Sequence, residues 1–208
     1  MNVLLLIIVI GYVFGCLHGS QLVGKLKQIN IKSTGTKNAG ASNTTLVLGW
    51  RYGVIVALVD IGKALVSLQL TIYLIQIFQV SLELSFLYLL TNGLFVVIGH
   101  NFPMTMNFNG GKGTASFLGV LLFLNWKLAI ISLLIALIIS FLTNYFVIGT
   151  LSGYVTFNIY TSYTYGKGPI MISILFTLLF LWQHRENFSR IMNNEEMKLR
   201  SFFRREAS

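Results

Sequence analysis

Charge is scarce in this chain. Charged residues make up 10% of its 208 positions and only six are acidic, against roughly 25% charged in soluble domains, so the soluble class is excluded. There is one cysteine, Cys16, which rules out an intrachain disulfide framework and a Cys-cluster zinc site. Set among small residues in the first apolar run, Cys16 reads as a packing residue. No internal repeat and no low-complexity tract is present. The first apolar run lacks a basic leader and exceeds the usual signal-core length, so no cleavable signal is expected. No recognition module or interleaved aromatic–basic pattern points to nucleic acid.

What the chain has is apolar length. Residues 3–23, 52–78 and 128–148 are each long enough for the about 20 residues that a bilayer crossing needs. Runs at 84–98, 114–124, 149–159 and 170–182 are shorter and span only if their flanking polar residues enter the headgroup layer. Open sheet edges have no place in lipid. The expectation is an all-α integral membrane protein of about seven transmembrane helices, forming a single domain over residues 1–208.

The basic residues give that arrangement a direction. With seven spans, twelve Lys/Arg fall on one side, clustered in residues 25–51 and 185–205 together with Lys112, and only Lys127 and Lys167 on the other. The positive-inside rule then puts the N-terminus outside and the C-terminus in the cytoplasm. Anionic lipid headgroups account for Arg200, Arg204 and Arg205 in the tail. Sequons at Asn43 and Asn187 fall on the cytoplasmic side and are read as chance. Within the second run, Asp60 and Lys63 share one helical face. A pair inside a span is either a lock between helices or a functional group facing a polar cavity.

Three polar segments interrupt the oil. "GHNFPMTMNFNGGKG", residues 99–113, places one histidine, three asparagines, one lysine and four glycines in fifteen positions. Its end precedes a run expected to be helical, where glycine N–H groups and a helix N-terminus suit an anion. The spacing fails the Walker A pattern, since Met106 stands where the first glycine is needed. A flexible turn carrying a topology-setting lysine explains a bare GGKG as well. "STGTKNAGASNTT", residues 33–45, again combines glycines with hydroxyls and amides that suit phosphate oxygens. In "HRENFSRIM", residues 184–192, His184 and Asn187 share one helical face. His18, by contrast, reads as structural. Two phosphate-type cradles and a His/Asn face on one side suggest a phosphorylated substrate.

These segments resemble the acyl-phosphate:glycerol-3-phosphate acyltransferases, the PlsY family of bacterial membrane enzymes, of which the chain looks like a divergent member. Residues 99–113 are similar to the family's second motif and residues 33–43 to its first. "VDIGKAL" resembles its Asp-x-x-Lys span, "HRENFSRIMNNEEMK" its C-terminal signature and, more loosely, "GCLHGSQLVGKL" its first-span pattern. The matches run in order from Gly15 to Lys198.

The resemblance implies a transfer of a fatty acyl group from acyl phosphate to the sn-1 hydroxyl of glycerol 3-phosphate, giving lysophosphatidic acid in phospholipid synthesis. It implies catalytic roles for Lys112, Thr36 and His184, and substrate binding by Asn38, Gly40, Asn43, Gly110, Gly111, Gly113 and Asn187. Acyl phosphate, glycerol 3-phosphate and membrane lipids are the implied partners, with no nucleic acid, no cofactor and no metal. The expected location is the bacterial cell membrane, crossed several times.

The chain departs from the family pattern at several positions. Leu46 replaces the arginine that closes the first motif, Lys37 a glycine, Asn109 a lysine and His18 a proline. Ile148 and Leu151 occupy serine positions of the third motif, unless Ser152 is shifted into use. A lost charge-assisted phosphate contact costs about 1.5–3 kcal/mol; Lys37 or Arg51 is the candidate to supply it. Leu46 keeps two alternatives open: a same-fold enzyme with another acceptor, and a non-enzymatic lipid-binding regulator.

Overall fold

The computed structural model describes residues 3–201, which are helical with short turns and contain no strand among them. They group into two compact units that divide after Leu124.

The first unit holds α1 (Val3–Gly15), α2 (Gly19–Lys27), α3 (Ala41–Leu48), α4 (Trp50–Ile77), α5 (Leu82–Asn101) and α6 (Thr114–Leu124). α1 shows how an apolar helix is shaped for lipid. Leu5, Val9 and Val13 recur every fourth residue and are exposed, while Ile7, Gly11 and Gly15 on the other face are buried. The glycines let α1 and α5 approach closely: a Cβ on Gly15 would run into the Val96 carbonyl, and one on Gly99 would lie 3.0 Å from the Gly15 Cα. Small residues four apart are a recurrent device for packing membrane helices. Asn92 ties three helices, donating to the Ile7 carbonyl at 3.0 Å and accepting from the Ser67 hydroxyl at 2.9 Å.

α4 has 28 residues, which makes it roughly 42 Å long at the usual rise and ample for a hydrocarbon core of ~30 Å. Its buried stripe includes the charged pair, Lys63 Nζ standing 3.3 Å from Asp60 Oδ1. The same ammonium donates to the carbonyls of Gly15 at 2.9 Å and Leu17 at 2.6 Å, and to His100 Nδ1 at 2.8 Å. Apolar run 3–23 is therefore not one straight helix. It breaks between α1 and α2, and Lys63 satisfies carbonyls that the break leaves without intrahelical partners. The pair is thus a lock between helices, set directly behind the end of α5.

The second unit holds α7 (Trp126–Thr143), α8 (Phe146–Thr164), α9 (Lys167–Gln183) and α10 (Arg185–Met192). Run 128–148 is likewise interrupted: Asn144 adopts the left-handed conformation at φ 63° and ends α7, a conformation asparagine tolerates better than most side chains. Gly149 and Gly153 bring α8 against Ser132, Ala136 and Ser140 of α7. Aromatic contacts seat α9 on α8, with Tyr154 and Phe180 ring centroids 4.6 Å apart and Phe157 edge-on to Phe176. Asn125 caps α7 through the Leu128 amide at 3.1 Å and donates to the Tyr160 hydroxyl at 2.8 Å.

Among the described residues, four helical segments are long and apolar enough to cross a membrane: Val3–Lys27, Trp50–Ile77, Leu82–Met106 and Trp126–Thr143. Thr114–Leu124 and Lys167–Gln183 are shorter apolar helices.

Candidate functional site

Residues 102–113 form a turn that folds back onto the end of α5. The Gly110 amide donates to the Asn101 carbonyl at 3.0 Å and the Gly111 amide to the His100 carbonyl at 3.1 Å. These acceptors belong to a helix C-terminus, whose last carbonyls lack intrahelical donors, so the turn and the helix end satisfy each other. His100 is buried with its ring under the glycines; a Cβ on Gly111 would collide with His100 Nε2. His18 completes this floor. Its ring stacks on His100 at 4.6 Å, with Nε2 3.0 Å from the His100 carbonyl oxygen and Nδ1 3.0 Å from that of Cys16. Gly113, at φ 80°, turns the chain into α6, a conformation in which glycine is unstrained. Lys112 is half-buried on this turn.

The segment of residues 28–40 is organised by one side chain. Asn43 is fully buried; its Nδ2 lies within 3.0 Å of the carbonyls of Ile31, Thr34 and Asn38, and its Oδ1 accepts from the Thr36 amide at 2.7 Å. Its carboxamide holds the loop in shape. Thr36 and Lys37 are exposed, Asn38 and Gly40 half-buried at the entry to α3. Arg51 lies over the Trp50 ring at 5.8 Å, and both residues are exposed.

Lys32, which the sequence did not single out, joins the two segments. Its Nζ donates to Asn109 Oδ1 at 2.7 Å and to the Gly110 carbonyl at 3.0 Å. An ammonium is thereby placed against Asn109 by a residue 77 positions earlier. No local pattern marks it, because the contact exists only after two distant loops meet.

In the second unit, His184 lies at the α9–α10 junction, its ring stacked on Phe180 at 4.1 Å and its Nδ1 3.0 Å from the Phe180 carbonyl oxygen. Asn187 donates to Glu196 Oε1 at 2.6 Å, while Arg190 Nε donates to Oε2 of the same carboxylate at 2.7 Å. Glu196 thus orients Asn187, a role its place nine residues downstream does not announce. Ser152 in α8 donates to the Gly149 carbonyl at 2.6 Å.

The first unit therefore brings Lys112, Gly110, Gly111 and Gly113 together with Lys32. It builds a separate, Asn43-organised loop around Thr36, Asn38 and Gly40. His184 and Asn187 belong to the second unit.

Helices with lipid-type apolar faces, and polar chemistry gathered in turns at their ends, define an all-helical membrane protein. The model of the glycerol-3-phosphate acyltransferase family matches residues 5–194. The chain is 47% identical over 199 residues to glycerol-3-phosphate acyltransferase 1 of Oceanobacillus iheyensis, covering 96% of each chain. It is 37% identical over 206 residues to the glycerol-3-phosphate acyltransferase of Finegoldia magna, covering 96% of this chain and 98% of that one. A crystal structure of PlsY, an integral membrane glycerol 3-phosphate acyltransferase, in its glycerol 3-phosphate form, superposes with a TM-score of 0.82 at 26% identity over 94% of each chain. The lysophosphatidic acid form of PlsY gives a TM-score of 0.80 over the same share. The chain belongs to the glycerol-3-phosphate acyltransferase family.

Proposed function

We infer that the chain is a membrane glycerol-3-phosphate acyltransferase of phospholipid synthesis that takes its acyl group from an acyl phosphate. The attacking sn-1 hydroxyl oxygen forms a bond to the acyl carbonyl carbon, and the bond from that carbon to the phosphate oxygen breaks. Lysophosphatidic acid is released, and inorganic phosphate leaves with the hydroxyl proton. An acyl phosphate is already activated, so the protein's task is to place two phosphates and offset their charge. Family membership favours this reaction over the regulator and the other-acceptor readings.

One observation carries the site: the Gly110–Gly113 turn docked on α5, with Lys32 bonded to it and Lys112 within it. In this reading Lys112 binds one phosphate at the turn that Gly110, Gly111 and Gly113 shape, the Gly110 and Gly111 amides being committed to the α5 carbonyls. Thr36, Asn38 and Gly40 meet substrate from the first segment, which Asn43 shapes. His184 acts as a catalytic side chain, and Asn187, oriented by Glu196, binds substrate.

The reading places the protein in a bacterial cell membrane with seven crossings: α1 with α2, then α4, α5, α6, α7, α8 and α9. The twelve-to-two distribution of basic residues supports an external N-terminus and a cytoplasmic C-terminus. α6, with 11 residues, is roughly 16 Å long and much shorter than the hydrocarbon thickness. The glycine turn that begins it would therefore sit below the headgroups, where a membrane-borne acyl phosphate presents its head.

Purified protein given palmitoyl phosphate and glycerol 3-phosphate should form lysophosphatidic acid and phosphate, measured by mass spectrometry and a phosphate assay. The Lys112→Ala variant should form neither. Phosphate release without the lipid would overturn the choice of acceptor, and neither product from folded wild-type protein would overturn the reaction.

Lys32 gives a sharper expectation. Lys32→Ala should raise the KM for one phosphate-bearing substrate about tenfold, the size of one charge-assisted hydrogen bond. Adding Asn109→Lys should restore most of it by returning an ammonium to the same spot. Steady-state kinetics on the single and double variants checks this; a KM unchanged by Lys32→Ala would leave Lys32 as a latch only.

A further inference from the structure

Asn101 is 2% exposed, and neither its Nδ2 nor its Oδ1 has a hydrogen-bond partner among the described residues. Within the first unit, Ser116 Oγ is the other buried side-chain polar atom without a partner among the described residues, and Asn101 alone leaves both ends of a carboxamide unpaired. The equally buried Asn43 and Asn92 use both ends of their carboxamides. Burying an amide without partners is unfavourable, and such groups are few in native structures.

Its position supplies a reason. Asn101 ends α5, and its backbone carbonyl accepts the Gly110 amide. Its side chain abuts the other end of the same turn: a Cβ on Gly113 would lie 2.7 Å from Asn101 Oδ1. Directly beyond Gly113 begins α6, whose first N–H groups have no intrahelical acceptors. Lys32 and Lys112 supply positive charge to the turn. An unpaired carboxamide, a helix N-terminus and two lysines thus converge on one segment. A carboxamide offers both a donor and an acceptor. That pair matches an organic phosphate carrying a hydroxyl, whose phosphate oxygen accepts and whose hydroxyl donates.

We propose that Asn101 is a substrate-contacting residue, its Nδ2 donating to a phosphate oxygen held at Gly110–Gly113 and its Oδ1 accepting from a hydroxyl. This rests on reading that turn as a phosphate cradle. The phosphate comes from either the acyl donor or glycerol 3-phosphate, and separate KM values tell them apart.

Asn101→Leu and the near-isosteric Asn101→Asp test the contact. In Asn101→Leu the KM for one of the two substrates should rise about tenfold, with kcat little changed. Its thermal midpoint should hold or increase, since an unpaired amide has been removed. Asn101→Asp, which turns a carboxylate toward the phosphate, should lose more than a hundredfold in kcat/KM. Inorganic phosphate, titrated calorimetrically into purified protein, should bind Asn101→Leu about tenfold more weakly than wild type. That arm is independent of turnover. If wild type binds phosphate and the variant does not, while no lysophosphatidic acid forms, Asn101 stands as a phosphate ligand and the acyl-transfer reading falls. Wild-type KM values and phosphate affinity in either folded variant would overturn the contact, as would absence of phosphate binding to wild type.

Discussion

Replacing Gly111 with alanine is expected to lower kcat/KM by about a hundredfold in a protein that still folds. The added methyl has no free space, since it would meet His100 Nε2 and the ring carbons behind it at 3.0 Å. The imidazole has nowhere to retreat. Lys63 bonds its Nδ1, Asp60 Oδ1 lies 3.6 Å from the same nitrogen, and the His18 ring covers one face. The turn must move instead, which lifts the Gly111 amide from the His100 carbonyl and displaces Lys112. Misplacing a reacting group by about 1 Å is enough to cost on the order of a hundredfold. Gly62→Ala is the matched control, because a Cβ there has open space; it should keep full activity and gain slightly in stability from reduced freedom of the unfolded chain. Lysophosphatidic acid formation by the two variants, with thermal midpoints alongside, makes the comparison. Gly111→Ala with wild-type kinetics would show that the turn holds no substrate.

Composition was enough to read the membrane class and to locate the polar segments, because scarcity of charge and the length of apolar runs are properties of the chain alone. It was not enough to locate the breaks. Residues 3–23 read as one helix because nothing local marks Cys16–His18 as a stop; the stop is stabilised by Lys63, brought from α4. Asn144 divides residues 128–148 by a left-handed turn that apolar run length does not register.

The same distinction runs through the site. Glycines and a lysine in sequence announced the second polar segment, since the glycines that shape the turn and the lysine it carries sit in one stretch. Residue type could not separate Asn38 from Asn43. Both are asparagines in a polar loop, yet Asn43 is fully buried and its carboxamide is committed to the loop's own backbone. Lys37 and Arg51 were the visible candidates for compensating Leu46. Lys32, bonded to the glycine turn beside Asn109, is a separate lysine that bears on that turn and not on Leu46, and only the meeting of residues 32 and 109 reveals it.

The largest stability effect is expected at Lys63. Lys63→Met keeps the length of the side chain and removes the ammonium. That leaves the carbonyls of Gly15 and Leu17, the Nδ1 of His100 and the carboxylate of Asp60 short of a donor in a buried site. Breaking a buried pair from one side costs roughly 3–5 kcal/mol, and here two helix-end carbonyls are stranded as well. Asp60→Asn should be much milder. It removes a charge from one acceptor at 3.3 Å, while the ammonium keeps its three other partners. The ordering, with Lys63→Met far below Asp60→Asn in thermal midpoint and detergent-purified yield, follows from counting who is left unsatisfied. Opposite charge alone would predict equal losses, so equal midpoints would show that the pair is held by its own attraction and that the break after α1 does not depend on Lys63. Because His100 is both a partner of Lys63 and the floor beneath Gly111, the Lys63→Met protein that does fold should also lose activity. Its kcat/KM should fall with the Gly111→Ala value rather than remain at that of Asp60→Asn. One buried ammonium then ties the stability of the helix break to the shape of the glycine turn.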